Sequence, residues 1–334
     1  MAACSIRVQI ADIIIRFESD FESDINELCY FFKYHQDTSA REPDCTVVLT
    51  RQASFHMPKD AKMQWQSARD GCTMPEGRIG RRRVSIPSSL DTYGIATCYM
   101  SPSLGEYYYG LMRDKSWICY QPTVHRIKYV IHQRPNKKGG SGEVETISPL
   151  SAMPLLIHVI STIHDRYLIH GAAVAIDGSA RLFLGKSGSG KSTLCAELAR
   201  QKVSYMGDDL ALVYIKDDIP MLGALLFPAK MRIDNAVEKA DVDLPNLMQT
   251  GYSQSAPLGA VYYVRQSGLP ESSVERRTSA DLLQQLLEAS NGMMMQYNSH
   301  NWLSTMYDIS ERVPYSVLNY GGRTSIKASL LINN

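Results

Sequence analysis

The segment GKSGSGKS, residues 185–192, limits the fold of this chain more than any other part of its sequence. It fits the pattern G-x-x-x-x-G-K-[S/T] of phosphate-binding P-loops. Its glycines let the backbone curl so that successive N–H groups point into one concavity, and the helix that follows turns its unpaired N–H groups to the same place. A strand-like segment, residues 181–184, precedes the loop, and a helical segment, residues 191–200, follows it. The motif therefore predicts an α/β domain that binds the phosphates of a nucleotide.

The positions of this motif have separate expected tasks. Lys191 is expected to reach the β- and γ-phosphates, and the hydroxyl of Ser192 to ligate Mg²⁺. A glycine-rich turn without a ligand is the alternative interpretation. We predict ATP and Mg²⁺ as cofactors. The predicted nucleotide-binding residues are Gly185, Lys186, Ser187, Gly188, Ser189, Gly190, Lys191, Ser192 and Thr193.

Two adjacent carboxylates, Asp208 and Asp209, follow one helix and one strand beyond the loop. This spacing brings the end of the strand back beside the phosphates. Adjacent carboxylates are costly unless something positive binds them. We therefore expect one to hold Mg²⁺ and the other to act as a general base toward an acceptor hydroxyl. A helix cap or a solvated turn is the alternative.

Other polar residues are candidates for the same site. His170, with Gly171, precedes the hairpin that leads into the loop, and it is expected to hydrogen-bond a carboxylate or to contact the phosphoryl group. A structural histidine is the alternative. Lys230 and Arg232 are candidates for the cation that stabilises charge on the γ-phosphate, with a surface ion pair as the alternative.

Taken together, His170-Gly171, the loop at residues 185–192 and Asp208-Asp209 resemble the catalytic domain of HPr kinase/phosphorylase. In that family a His-Gly pair, a loop of the form G-x-S-G-x-G-K-S and an Asp-Asp pair occur in this order. The resemblance covers residues 148–215. It implies that Asp208 takes the proton of the acceptor serine with the support of His170. Lys191 would then clamp the β- and γ-phosphates, and Ser192 with Asp209 would bind Mg²⁺.

Three later segments are similar to HPr kinase-related proteins of biosynthetic gene clusters. These segments are FPAKMRIDNA (residues 227–236), RRTSADLLQQLLEASN (276–291) and VPYSVLNY (313–320). The related proteins include kinases that phosphorylate the C-terminal serine of lasso-peptide precursors. The signature segment of true HPr kinases, with its metal-binding glutamate, is not found after the Asp-Asp pair. The resemblance therefore implies neither the reverse, phosphate-removing activity nor HPr as the substrate.

Hydrophobic patterning and turn residues predict two domains. Residues 1–146 read as a β-rich α+β domain that recognises a substrate or partner, and residues 147–334 as the P-loop kinase domain, with the turn-rich PNKKGGSGE (135–143) before the boundary. In the first domain the predicted strands are 4–17, 45–50, 93–99, 107–111, 116–120 and 124–133, and the predicted helix is 24–34. In the second, the predicted helices are 148–167, 191–200 and 280–289, and the predicted strands are 172–176, 180–184, 203–206, 210–215, 261–264 and 315–320. The basic segment GRIGRRR (77–83) is a candidate docking site for an acidic peptide, or a solvated hairpin tip.

Composition excludes several classes of protein. The net charge of +1 argues against a protein that coats nucleic acid, and no run of apolar residues is long enough to predict a membrane span. The N-terminus lacks the basic region of a signal peptide. Seven cysteines without a C-x-x-C pair are typical of a reducing compartment, so we expect a cytoplasmic protein. A homo-oligomer is left open.

The function predicted from these features is transfer of the γ-phosphate of ATP to a hydroxyl group, that of a serine in a precursor peptide or protein. One alternative is a kinase for a small hydroxyl compound, which would need a closed pocket instead of an open groove. The other is a nucleotide-gated binding module that hydrolyses ATP slowly. Asp208 argues against that module, because it would supply the base that a module does not need.

Overall fold

The computed structural model describes residues 4–52, 55–68, 71–73, 95–111, 116–132, 134–135, 144–145, 148–186, 188–201, 203–227, 229–231, 240–242, 251–267, 271–290, 299–321 and 326–332. The chain divides into two compact units, Met1–Ile160 and Ser161–Asn334, which are called the first and the second unit below. Both are mixed α/β, with large sheets and few helices among their described residues. The predicted domain boundary at 146/147 lies outside the described residues, as do Ser187, Arg232 and the basic segment 77–83.

The first unit contains a nine-stranded sheet in the order β1-β2-β3-β9-β8-β7-β6-β4-β5 and a two-stranded one, β10-β11. Its strands are β1 (Cys4–Ile10), β2 (Ile13–Ser19), β3 (Cys45–Gln52), β4 (Lys62–Ala68), β5 (Gly71–Thr73), β6 (Ile95–Ser101), β7 (Glu106–Leu111), β8 (Trp117–Gln121), β9 (Arg126–His132), β10 (Arg134–Pro135) and β11 (Val144–Glu145). The helices are α1 (Glu22–Phe31) and α2 (Met153–Ile163), and α2 contains the point where the first unit ends. Short 3₁₀ helices occupy Pro122–Val124 and Pro149–Ala152.

Alternation of apolar and polar residues explains the core of the first unit. In β1, Ile6, Val8 and Ile10 are buried while their neighbours are more exposed, as the period of two in a strand requires. The predicted single strand 4–17 is a hairpin of β1 and β2, because Ala11 has a φ of 55° and turns the chain. The predicted helix 24–34 lies at Glu22–Phe31 instead, with Phe32 as its C-cap.

The second unit contains the strand, glycine-rich loop and helix that the motif predicts around residues 181–200. Its strands are β12 (Tyr167–His170), β13 (Ala172–Ile176), β14 (Ser179–Leu184), β15 (Ser204–Gly207), β16 (Leu210–Lys216), β17 (Ile219–Ala224), β18 (Ala229–Met231), β19 (Ala240–Val242), β20 (Ser255–Gln266), β21 (Ser273–Arg276) and β22 (Tyr315–Tyr320). Its helices are α3 (Lys191–Ala199), α4 (Ser279–Ala289) and α5 (Ser299–Arg312), with a 3₁₀ helix at Ala328–Leu331. None of the helices in the described part of the chain has the length and apolarity needed to cross a membrane.

The strand order of the second unit places four strand ends together. The main sheet runs β12-β16-β17-β20-β14-β13-β15, and β22 pairs with β20 and β21. Strands β14, β20 and β22 are parallel, and β15 has the same direction as β14 because both are antiparallel to β13. The carboxyl ends of β14, β15, β20 and β22 therefore lie at one end of the sheet, which is where ligands of open α/β sheets bind.

Two sequence expectations for the predicted second domain, residues 147–334, have different outcomes. The predicted hairpin is confirmed: β13 and β14 pair through a turn at Asp177 and Gly178, whose φ angles are 50° and 76°. The predicted helix 148–167 is too long at its C-terminal end, because α2 ends at Ile163 and residues Tyr167–His170 form β12. Asp165 has a φ of 57°, a conformation that a helix cannot continue.

Candidate functional site

The loop between β14 and α3 depends on glycine at both of its ends. Gly185 has a φ of 144°, and a Cβ added to it would lie 2.8 Å from Ser189 Oγ and from the carbonyl oxygen of Val264. Gly190 has a φ of 94° and is the N-cap of α3, whose Leu194 N–H donates to its carbonyl at 2.8 Å. A side chain at either position would be excluded by conformation, by space or by both. The chain therefore turns tightly out of the sheet and directly into a helix.

Lys191 places a cation within this turn. Its side chain is buried, and Nζ donates to the carbonyl oxygens of Gly185 at 2.8 Å and Lys186 at 3.2 Å. Burial lowers the pKa of the ammonium group, and the charges of Asp209 and Asp208 oppose that shift. The ammonium group is thus held by the loop's own carbonyls and lies within the electrostatic field of the acidic pair.

Ser192 and Asp208 join the loop to the end of β15. The Ser192 hydroxyl donates to Asp208 Oδ1 at 2.9 Å. Burial raises the pKa of the Asp208 carboxyl, the neighbouring Asp209 raises it further, and the Ser192 hydrogen bond is the largest of the effects that lower it. A carboxylate that is partly desolvated beside a like charge accepts a proton more readily than a free one.

Asp209 lies at the point of a tight turn. It is exposed and has a φ of 67°, and the Leu210 N–H donates to the Asp208 carbonyl at 2.9 Å across it. Positive φ at a non-glycine residue costs energy and is concentrated at functional sites. The two neighbouring side chains differ in exposure, since Asp208 is half-buried and Asp209 is exposed.

His170 and Gly171 lie beside this acidic turn. The Gly171 N–H donates to the carbonyl oxygen of Asp209 at 3.1 Å, and His170 pairs with Leu210 where β12 meets β16. The His170 side chain is exposed, and its imidazole makes no hydrogen bond to either aspartate. The backbone thus brings the His-Gly pair to the site, while the predicted support of Asp208 by His170 stays a prediction.

The structure brings together Lys191, Ser192, Asp208 and Asp209, with His170 at the adjoining strand end. Thr193 is exposed in the first turn of α3. Lys230 belongs to β18, which pairs with β19, but its side chain lies outside the described part, as does Arg232.

Three further residues beside the loop were missed by sequence reasoning. They lie at the ends of β20 and β22, which are distant from the loop in sequence. The only signal that could have found them is that parallel strands end at the same edge of a sheet. These residues are Gln266 and Tyr320, which lie next to Gly190, and Ser267, whose N–H donates to the Tyr320 carbonyl.

The donor atoms at this site fit Mg²⁺. The Ser192 hydroxyl and the Asp208 carboxylate lie 2.9 Å apart, and the exposed Asp209 carboxylate is next in sequence. All three are oxygen donors, which Mg²⁺ prefers. Among the described residues, no three histidine, cysteine, aspartate or glutamate side chains come together as a metal site.

Comparison with known proteins finds similarity to solved structures but no match in sequence. Neither a known protein family nor a curated protein matches the sequence. Among solved structures, the chain is similar to the Hpr(Ser) kinase/phosphatase from Coxiella burnetii, with 12% identity and a TM-score of 0.29 over 50% of this chain and 90% of that one. Similarity at this level does not assign the chain to a family.

Proposed function

We propose that this chain is an ATP-dependent kinase that transfers the γ-phosphate to a hydroxyl group, that of a serine in a peptide or protein. The observation that carries the proposal is the 2.9 Å hydrogen bond from Ser192 to Asp208. It joins the serine of a P-loop motif to a carboxylate that comes from a different strand. A phosphate-binding loop, oxygen donors for Mg²⁺ and a base are the parts that phosphoryl transfer requires.

Each residue of the site has a proposed task. Lys191 binds the β- and γ-phosphates, and Ser192 with Asp209 holds Mg²⁺, which supplies positive charge that stabilises the transferring phosphate. Asp208 accepts the proton of the attacking hydroxyl, and its raised pKa suits that task. His170 supports the acidic pair from the end of β12, and Arg232 supplies a further cation.

The identity of the acceptor rests on the sequence resemblance alone. We propose a precursor peptide of the lasso-peptide type that ends in serine, recognised by residues 1–146 in the cytoplasm. An acceptor serine must approach in line with the bond that breaks, so the peptide has to reach the γ-phosphate from outside the loop.

The test is incubation of the full chain with γ-labelled ATP, Mg²⁺ and a set of peptides ending in serine or in alanine. We expect label on the serine peptides only, and mass spectrometry should locate the phosphate on the terminal hydroxyl. Label on small hydroxyl compounds but on no peptide would favour the small-molecule kinase. Release of phosphate to water with no labelled acceptor would favour the binding module, and no ATP binding at all would overturn the proposal.

A further inference from the structure

The carboxyl ends of β20 and β22 form a polar surface beside the P-loop. These strands are parallel to β14, with Gln266 opposite Tyr320, and the Ser267 N–H donates to the Tyr320 carbonyl at 2.9 Å. Both strands thus end together, next to the point where β14 enters the loop. The proposed phosphate-transfer chemistry uses none of these residues.

This surface is close to the last glycine of the loop. A Cβ added to Gly190 would lie 3.3 Å from carbons of the Tyr320 ring and 3.8 Å from Gln266 Nε2. Tyr320 is buried and packs beneath the loop, whereas Gln266 is exposed. The Gln266 amide has no hydrogen-bond partner among the described residues, and neither has the buried Ser267 hydroxyl. The exposed Gln266 amide, next to the loop, is therefore available to a ligand.

The acidic pair fixes the direction in which a nucleotide would lie. On one side of β14 are β13 and β15, and β15 leads to Asp208 and its bond from Ser192. On the other side are β20 and β22. A nucleotide is linear, with its γ-phosphate at one end and its base at the other. If the γ-phosphate meets the acidic pair, the nucleoside leaves the loop on the opposite side, over the ends of β20 and β22.

We infer, on the basis of the proposed function, that these strand ends bind the nucleoside half of ATP and that Gln266 is a specificity-determining residue there. Its carboxamide presents a donor and an acceptor side by side, which is complementary to the amino group and a ring nitrogen of adenine. Tyr320 positions the loop from below and does not contact the nucleotide. Gln266 therefore contributes to affinity for the nucleoside and not to affinity for the phosphates.

The test compares two ligands, ATP and inorganic tripolyphosphate, each titrated with Mg²⁺ into the full chain by calorimetry. Gln266→Ala is expected to weaken ATP binding about fivefold to tenfold, the effect of one lost hydrogen bond, and to leave tripolyphosphate binding unchanged. Gln284→Ala removes an exposed glutamine from α4 and serves as the matched control, with both affinities unchanged.

The outcomes separate this inference from the proposed function. If Gln266→Ala leaves ATP affinity unchanged, the nucleoside does not contact Gln266 and the inference is overturned. An equal loss for both ligands would overturn it too, because Gln266 would then support the loop instead of reading the nucleoside. In either case wild-type binding of both ligands leaves the proposed function standing. A wild-type chain that binds neither ligand would overturn both.

Discussion

Asp24 in the first unit and Asp208 in the second are carboxylates with one contact in common. Each accepts a hydrogen bond of 2.9 Å from a serine hydroxyl, Ser19 for Asp24 and Ser192 for Asp208. Their other neighbours have opposite charges. Asp24 is almost fully buried against the guanidinium of Arg51, whereas Asp208 has Asp209 beside it, and burial and this neighbour raise its pKa.

The difference separates a structural carboxylate from one that is available for chemistry. In the first unit the protein supplies the cation that balances Asp24, so the group is complete and joins α1 to the end of β3. In the second unit the two carboxylates of the acidic pair carry more negative charge than Lys191 balances. A cation bound with the nucleotide would reduce the repulsion between them. Stability should therefore depend on the charge pair in the first unit, and activity on the charged residues in the second.

The largest expected effect is on activity and follows removal of the cation in the second unit. Lys191→Ala should lower phosphate transfer at least about a hundredfold, because the phosphate charge loses a preorganised partner. Thermal unfolding should show that the fold is retained. Arg200→Ala, which removes an exposed cation at the other end of α3, is the control and should transfer phosphate normally. Near-normal activity in Lys191→Ala would break the comparison.

Removal of the Asp24 carboxylate should instead lower stability and leave activity unchanged. Asp24→Asn removes the carboxylate that pairs with the buried guanidinium of Arg51 and should lower the free energy of unfolding by about 3–5 kcal/mol. Denaturant titration measures this, with the exposed Asp20→Asn as the control. Phosphate transfer per folded molecule should be unchanged. A stability within about 0.5 kcal/mol of the wild-type value would mean that the buried pair is not structural.

The first unit also predicts a pH dependence. His35 is fully buried, with Nδ1 3.0 Å from the Gln9 carbonyl, and burial lowers its pKa from 6.5 to about 4. Between pH 6.5 and about 4 the unfolded chain therefore binds a proton that the folded chain does not, and stability should fall as the pH falls through this window. The loss approaches about 3 kcal/mol at the lower end. The free energy of unfolding, measured across this range, should depend less on pH in His35→Gln than in the wild type. The exposed His300→Gln should show the wild-type pH dependence. Equal pH dependence in the wild type and both variants would show that His35 is not the cause.

The smallest expected effect is on stability and comes from the ionised carboxyl of Asp208. Because the pKa of Asp208 is raised on folding, its ionised form destabilises the folded chain as the pH rises above 3.8. Asp208→Asn removes that charge and can still accept from Ser192, so at neutral pH without ligand it should raise the free energy of unfolding slightly. Differential scanning calorimetry measures whether the variant is more or less stable than the wild type, with the exposed Asp217→Asn as the control. A loss of stability like that of Asp24→Asn would erase the contrast between the two carboxylates.

Local signals in the sequence predicted the elements that local chemistry determines. The Asp177-Gly178 turn, the loop-to-helix step at Gly190 and the strand Tyr315–Tyr320 all depend on a few neighbouring residues. The helix at Ser279–Ala289 also has a local cause, since Thr278 and Asp281 form a capping box.

Long-range pairing could not be predicted in the same way. The nine-strand order of the first unit and the parallel pairing of β20 with β14 depend on contacts between residues far apart in sequence. Strand β12 was missed because its apolar residues follow an apolar helix without a break that periodicity detects. Gln266 and Tyr320 reach the loop only through such pairing, so no motif marks them.

Turnover of Asp208→Asn, measured together with its ATP affinity on the acceptor identified by labelling, tests the proposed chemistry most directly. If Asp208 is the general base, turnover should fall on the order of a hundredfold or more, while the Kd for ATP with Mg²⁺ stays within about twofold of the wild-type value. A collapse of ATP affinity with normal turnover of the bound state would contradict this and would exchange the tasks of Asp208 and Asp209. Normal turnover with normal affinity would remove Asp208 from the chemistry altogether.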